Sequence, residues 1–105
     1  MSGTIVVTSR VAAQDPRLLE WAAPPSGDSG SAILFVGDGV YSLVRGSESS
    51  SALQRLGFHV KLFGCRRDIE SRGLTTKLIP ESSVVDYDQM VGLLMQSYSR
   101  VVSYL

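Results

Sequence analysis

Ala32-Ile33-Leu34-Phe35-Val36 is an unbroken apolar run of strand length, the pattern a β-strand carries when both of its faces are buried. Strands of that kind lie inside parallel sheets with a layer packed on each side, and the segments around this one fit such a sheet. Thr4-Ile5-Val6-Val7-Thr8 is β-branched and reads as a first strand, and the stretch from His59 to Gly64 reads as a third. Leu78-Ile79-Pro80 is a candidate fourth, at an edge or a strand end because proline cannot donate to a ladder. Val101-Val102-Ser103-Tyr104-Leu105 is the last. Helical signals fall between them. Asp15-Pro16 supplies an N-cap and a first-turn proline for a helix carrying Leu18, Leu19 and Trp21-Ala22, which Pro24-Pro25 stops. After the tight turn Gly37-Asp38-Gly39, Val40 to Val44 forms a short helix, and Ala52 to Gly57 adds a helical turn. A further helix starts at Cys65 and ends at Gly73, and Asp86 to Gln96 is amphipathic, with Met90, Val91, Leu94 and Met95 apolar. Strands alternating with helices predict an α/β fold, a three-layer sandwich around a mainly parallel sheet of about five strands.

With 105 residues, 44% of them apolar, the chain has material for one core and is too short for two, so residues 1–105 are expected to form a single domain. The serine-rich stretches 24–31 and 46–51 read as exposed loops that punctuate that domain. Ten basic and ten acidic residues cancel, which leaves no electrostatic footprint for a phosphate backbone; direct nucleic-acid binding is not expected. A near-neutral surface offers little self-repulsion and so permits association. No apolar run approaches the roughly 18–20 residues of a membrane span. One cysteine cannot form an internal disulfide, and Met1-Ser2-Gly3-Thr4 shows no signal-peptide pattern. Both features point to a cytoplasmic protein.

That cysteine, Cys65, sits where the third strand turns into a short polar helix. At a helix start a thiol meets unpaired backbone N–H groups and the positive end of the helix dipole, and Arg66 and Arg67 follow at once. These influences favour the nucleophilic thiolate. The alternative is a small buried hydrophobe closing a strand, since free cysteine is among the most buried residue types. Arg66 and Arg67 are solvated charges on the plain reading, but cations oppose the dipole at an N-terminus, and that departure suits a site that stabilises an anion. Asp68, three residues on, is the acid local preference expects there, as a capping side chain. Asp38 follows the second strand as Cys65 follows the third, so the carboxyl ends of the strands bring the two toward one crevice.

Other motifs carry less. Gly27-Asp28-Ser29-Gly30-Ser31 resembles a trypsin-like nucleophile segment, but the chain is too short for two barrels and its histidine follows the serine. Gly37-Asp38-Gly39 lacks the third glycine of a dinucleotide fingerprint. His59 begins the strand that Cys65 follows, roughly 20 Å away at about 3.3 Å per residue, so the pair forms neither a catalytic dyad nor a metal site.

From Ile33 almost to the C-terminus the chain resembles the DsrE/DsrF/DsrH sulfur-relay family, whose tRNA-thiolation members form the TusD, TusC and TusB branches. Gly37-Asp38-Gly39-Val40-Tyr41 is similar to the family's Asp-Gly-Val segment, and Asp68-Ile69-Glu70-Ser71-Arg72-Gly73-Leu74 to its acidic helix ending in Arg-Gly-Leu. Val85-Asp86-Tyr87-Asp88-Gln89-Met90-Val91 and the C-terminal Val101 to Leu105 resemble the DsrH/TusB branch. Cys65 occupies the place of the cysteine in the DsrE/DsrF branches, which DsrH/TusB chains generally lack. The resemblance implies about five strands with flanking helices, oligomers from dimer to hexamer built from homologous DsrE/DsrF-like subunits or copies of the chain, exchange with a sulfur-carrier protein of the TusA type, and no metal or organic cofactor. It further implies sulfane sulfur held as a persulfide on Cys65, with Arg66, Arg67, Asp68, Asp38 and Gly39 in support, for tRNA 2-thiouridine formation or sulfur oxidation. A non-catalytic structural subunit of such a complex, with Cys65 packed and inert, is the second reading. A phosphate or nucleotide cradle at Asp38-Gly39 is a third.

Overall fold

The computed structural model describes residues 3–15, 17–18, 31–55 and 60–105. Five strands, β1 (Thr4–Thr8), β2 (Ser31–Phe35), β3 (Val60–Cys65), β4 (Ser82–Val85) and β5 (Arg100–Tyr104), form one sheet. Their order is β4-β3-β2-β1-β5, and every neighbouring pair is parallel. All five residues of β2 are buried, as the unbroken apolar run requires of a central strand.

Among the described residues, three complete α-helices, α1 (Glu48–Gln54), α2 (Arg66–Ser71) and α3 (Tyr87–Gly92), accompany two 3-10 segments, Ala12–Gln14 and Gly37–Leu43. Period-two alternation sorts the strand side chains between two cores. Val6, Ile33, Phe35 and Leu62 pack with Val40, Leu43, Leu53, Ile69 and Ile79 on one face. Ile5, Ala32, Leu34 and Val85 face the other, covered by Met90, Leu93, Leu94 and Tyr98. The connections from β1 to β4 step in one direction, whereas α3 carries the chain back across to β5 beside β1. Right-handed crossovers taken in opposite directions place their helices on opposite faces, which is why, among the described residues, α3 and the segment that continues it cover the second core.

Three expectations are corrected. The fourth strand is Ser82–Val85 and not Leu78-Ile79-Pro80. Leu78 instead forms an isolated antiparallel bridge with Val44, and the Ile79 N–H donates to the Leu43 carbonyl at 2.8 Å, so this apolar trio staples the 3-10 segment before the chain reaches the sheet. The stretch 46–51 is no exposed loop: Ser47 caps α1 by accepting the Ser50 N–H at 3.0 Å, and Ser49 and Ser50 are buried. Ser49 and Ser42 spend their hydroxyls on the N–H groups of Ala13 and Ala12, which the short 3-10 segment leaves unpaired. The short helix at Val40 is a 3-10 helix that starts earlier, at Gly37. Of the helix opening at Asp15, Asp15 accepts the Arg17 N–H at 3.2 Å as an N-cap would. Its continuation through Leu19, Trp21-Ala22 and Pro24-Pro25 lies outside the described residues, as do Gly57, the serine motif 27–30 and His59.

Candidate functional site

Cys65 is the last residue of β3, paired with Val85, and the N-cap residue of α2. Its backbone is extended and its side chain caps no N–H group, so the sulfur is not committed to the helix end. Two features fix the strand-to-helix turn. A Cβ on Gly64 would stand 2.8 Å from both Ile69 Cδ1 and Leu43 Cδ1, so only glycine lets α2 close this tightly on the strand. At the other end Gly73 adopts φ +66. Its N–H donates to Glu70 and that of Leu74 to Ile69, at 3.1 and 3.0 Å, a Schellman stop that seats Ile69 and Leu74 in the core. The helix therefore ends at Gly73 as its sequence predicts.

Cys65 shares strand parity with Phe63, in register with Leu34, and so turns toward the α3 face of the sheet. It is 7% exposed and opens on a depression of about 340 Å³. Arg66, Arg67 and Glu70 of α2 line one side; Asp86, Tyr87 and Met90 at the start of α3 line the other. Asp86 is held by a capping box, accepting the Gln89 N–H at 2.8 Å while its own N–H donates to Gln89 Oε1 at 2.9 Å. Arg66 and Arg67 are exposed.

The remaining sequence candidates lie elsewhere. Asp68 does not cap its own helix. Its Oδ2 accepts the Gly37 N–H at 2.8 Å, tying α2 to the turn after β2. Asp38 is on the 3-10 segment, whose Val40 and Leu43 pack on the opposite face of the sheet from Cys65, so the expected shared crevice does not include it. Its carboxylate accepts Arg72 Nε and Nη2 at 3.2 and 2.9 Å. The Asp38 hydrogen bond, which outweighs the opposing desolvation and is reinforced by the charges of Asp38 and Asp68, holds the Arg72 guanidinium more firmly protonated than usual. Gly39 is a packing glycine: a Cβ there would meet the Thr8 carbonyl oxygen at 2.9 Å.

Sequence reasoning missed Tyr87, Met90 and Glu70 as lining residues, and Arg72 as the bridge between Asp38 and Asp68. The signal for the first two was strand parity, since counting from Phe63 sends Cys65 to the face that α3 covers. What the site offers chemically is one thiol at a strand end, in a depression lined by two cations, Arg66 and Arg67, two carboxylates, Glu70 and Asp86, and the side chains of Tyr87 and Met90. Among the described residues no three histidine, cysteine, aspartate or glutamate side chains converge to hold a metal ion, and no helix is long and apolar enough to cross a membrane.

A small all-parallel α/β sheet with a lone cysteine closing its third strand defines the class; comparison with known proteins gives the family. Residues 25–99 match the family described as DsrH like protein. Protein TusB of Photorhabdus laumondii is 34% identical over 71 residues, covering 68% of this chain and 73% of that one. A TusC homolog of Vibrio vulnificus is 36% identical over 76 aligned positions, covering 62% of this chain and 64% of its own length. The chain belongs to the DsrH-like, TusB-like branch of the DsrE/DsrF/DsrH sulfur-relay family. The fold extends further than the sequence likeness. The ychN protein of E. coli superimposes with a TM-score of 0.77 at 14% identity over 99% of this chain and all of that one. A protein of unknown function from Methanobacterium thermoautotrophicum does so with 0.74 at 18%, over the same shares.

Proposed function

We propose that this protein is a subunit of a sulfur-relay assembly serving tRNA thiolation, and that it accepts and passes sulfane sulfur as a persulfide on Cys65. The observation that carries the reading is the place of Cys65: at the carboxyl end of β3, its sulfur uncommitted to the α2 cap, beside a depression flanked by Arg66 and Arg67. The Cys65 thiolate attacks the outer sulfur of a donor persulfide, R–S–SH. The donor S–S bond breaks, a new S–S bond forms on Cys65, and R–S⁻ departs, leaving Cys65–S–SH with no net oxidation. An acceptor thiolate, such as that of a TusA-type carrier, then takes the outer sulfur in the same way. Arg66 and Arg67 favour the anions on both sides of each exchange. Subunits of the DsrE/DsrF kind, or further copies of the chain, complete the assembly.

The burial of Cys65 favours a second reading, a structural subunit whose cysteine is packed and inert. Intact mass after incubation with a small-molecule persulfide donor separates the two. Gain of one sulfur atom, absent in Cys65→Ser, supports the carrier. No gain in native protein, with full gain once the protein is unfolded, assigns Cys65 to the core.

A further inference from the structure

β3 and β4 are neighbouring parallel strands whose outgoing connections leave for opposite faces of the sheet. Cys65 hands the chain to α2, whose Ile69 packs in the first core. Its register partner Val85 hands it, through Asp86, to α3, whose Met90 packs on the second. Such a divergence opens a crevice outside the carboxyl ends of the two strands, which is where open α/β sheets bind small ligands. The Cys65 depression is that crevice, with Arg66, Arg67 and Glu70 on the α2 side and Asp86, Tyr87 and Met90 on the α3 side. At about 340 Å³ it lies at the small end of ligand pockets, which begin near roughly 300 Å³.

The charges of the lining select the ligand. Two guanidinium groups and two carboxylates share one depression, yet among the described residues none of the four forms an ion pair with another. Asp86 accepts the Gln89 N–H through Oδ1, which leaves Oδ2 to a further donor. A purely anionic ligand gains from Arg66 and Arg67 but is repelled by Asp86 and Glu70, and a purely cationic one meets the reverse. A ligand carrying both a carboxylate and an ammonium group gains from both sides. The buried thiol adds one more requirement, a sulfur to exchange. We infer that the donor to Cys65 is the persulfide of a small zwitterionic amino acid of the cysteine type, its carboxylate on Arg66 and Arg67 and its ammonium group on Asp86. This inference rests on the persulfide reading above and names its donor. The Cys65 thiolate takes the outer sulfur of the bound persulfide, the donor S–S bond breaks, Cys65–S–SH forms, and the amino acid departs as its thiolate with no net oxidation.

The test is the rate of sulfur uptake by the full chain, read by intact mass, from the persulfides of cysteine, cysteamine, 3-mercaptopropionate and 2-mercaptoethanol. Cysteamine lacks the carboxylate, 3-mercaptopropionate the ammonium group and 2-mercaptoethanol both. Each rate is divided by that of the 2-mercaptoethanol persulfide in the same protein, so a change in thiolate reactivity or in folding common to all donors cancels. Asp86→Asn keeps the capping acceptor and removes the charge. It is expected to lower the ratios for cysteine and cysteamine about fivefold, and not that for 3-mercaptopropionate. Arg66→Gln and Arg67→Gln are expected to lower the ratios for cysteine and 3-mercaptopropionate by a similar factor, and not that for cysteamine. Sulfur uptake whose ratios no substitution moves, or moves alike for every donor, overturns the inference and leaves the persulfide reading standing. Uptake from none of the donors by the native protein overturns both.

Discussion

The carboxylate of Asp68 accepts the backbone N–H of Gly37 at 2.8 Å, joining the helix that follows Cys65 to the turn that follows β2. Gly37, at φ +53, is in a conformation that suits glycine, and its N–H points at Asp68 on α2. Asp68→Ala leaves this half-buried donor without a partner, at a cost of about 1–3 kcal/mol. Asp68→Asn keeps an acceptor oxygen and is expected to lose clearly less. Urea denaturation of the three proteins checks the order, and equal losses for alanine and asparagine would show that the charge matters rather than the hydrogen bond.

Gly64 is the second fixed point of the same turn. Gly64→Ala forces a methyl against Ile69 Cδ1 and Leu43 Cδ1, each 2.8 Å from the ideal position. Overpacking of this kind costs about 1–3 kcal/mol. Ile69→Val removes one of the two clashing atoms, so the double variant is expected to lose less than the sum of the single changes. A double-mutant cycle by chemical denaturation reads that coupling, and strict additivity would rule the contact out.

The features legible in the sequence were those set by local chemistry. The β2 run announced a strand buried on both faces, and Gly73 announced the end of α2, because each pattern has one cheap structural solution. What escaped depends on partners distant in sequence. Leu78-Ile79 has strand composition but is held by Leu43 and Val44, and no local pattern reveals that staple. Asp68 sits where capping acids sit, yet Gly37 arrives from 31 residues away to claim it. Asp38 and Cys65 both stand at the carboxyl ends of strands, and the resemblance in position concealed that one lies, exposed, on the 3-10 segment over the first core while the other opens beside α3 on the opposite face. The serines of α1 read as loop because the sequence pattern cannot see the 3-10 segment they satisfy.

Ser47 tests that last misreading. As the N-cap of α1 it accepts the Ser50 N–H at 3.0 Å, and Ser50 in turn donates its hydroxyl to the Ser47 carbonyl at 3.0 Å. Ser47→Ala removes the acceptor and is expected to cost about 1 kcal/mol. Ser47→Asp restores an acceptor and adds a charge favourable to the helix dipole, so it should recover most of the loss. Thermal denaturation of the pair is sufficient, and an alanine variant as stable as wild type would return the segment to the status of a loop.

Tyr104 anchors the C-terminal edge strand. Its hydroxyl donates to both Asp15 oxygens at 3.0 Å, and Arg10, which pairs with the same carboxylate at 3.1 Å, stacks 4.8 Å from the ring centre. Burial first, and then the Asp15 hydrogen bond and charge, raise the Tyr104 pKa above its ordinary value. The unfolded chain releases that proton near pH 10. The stabilisation from Tyr104 is therefore complete below about pH 10 and is lost as the pH climbs through the folded-state value. Tyr98, raised by burial, contributes with the same sign, so the comparison is made in a Tyr98→Phe background. There, Tyr104→Phe is expected to be less stable at about pH 8, where the hydrogen bond is missing, and to lose less on going to about pH 11. Urea midpoints at the two pH values measure both effects, and parallel losses with and without the hydroxyl would remove Tyr104 from the alkaline transition.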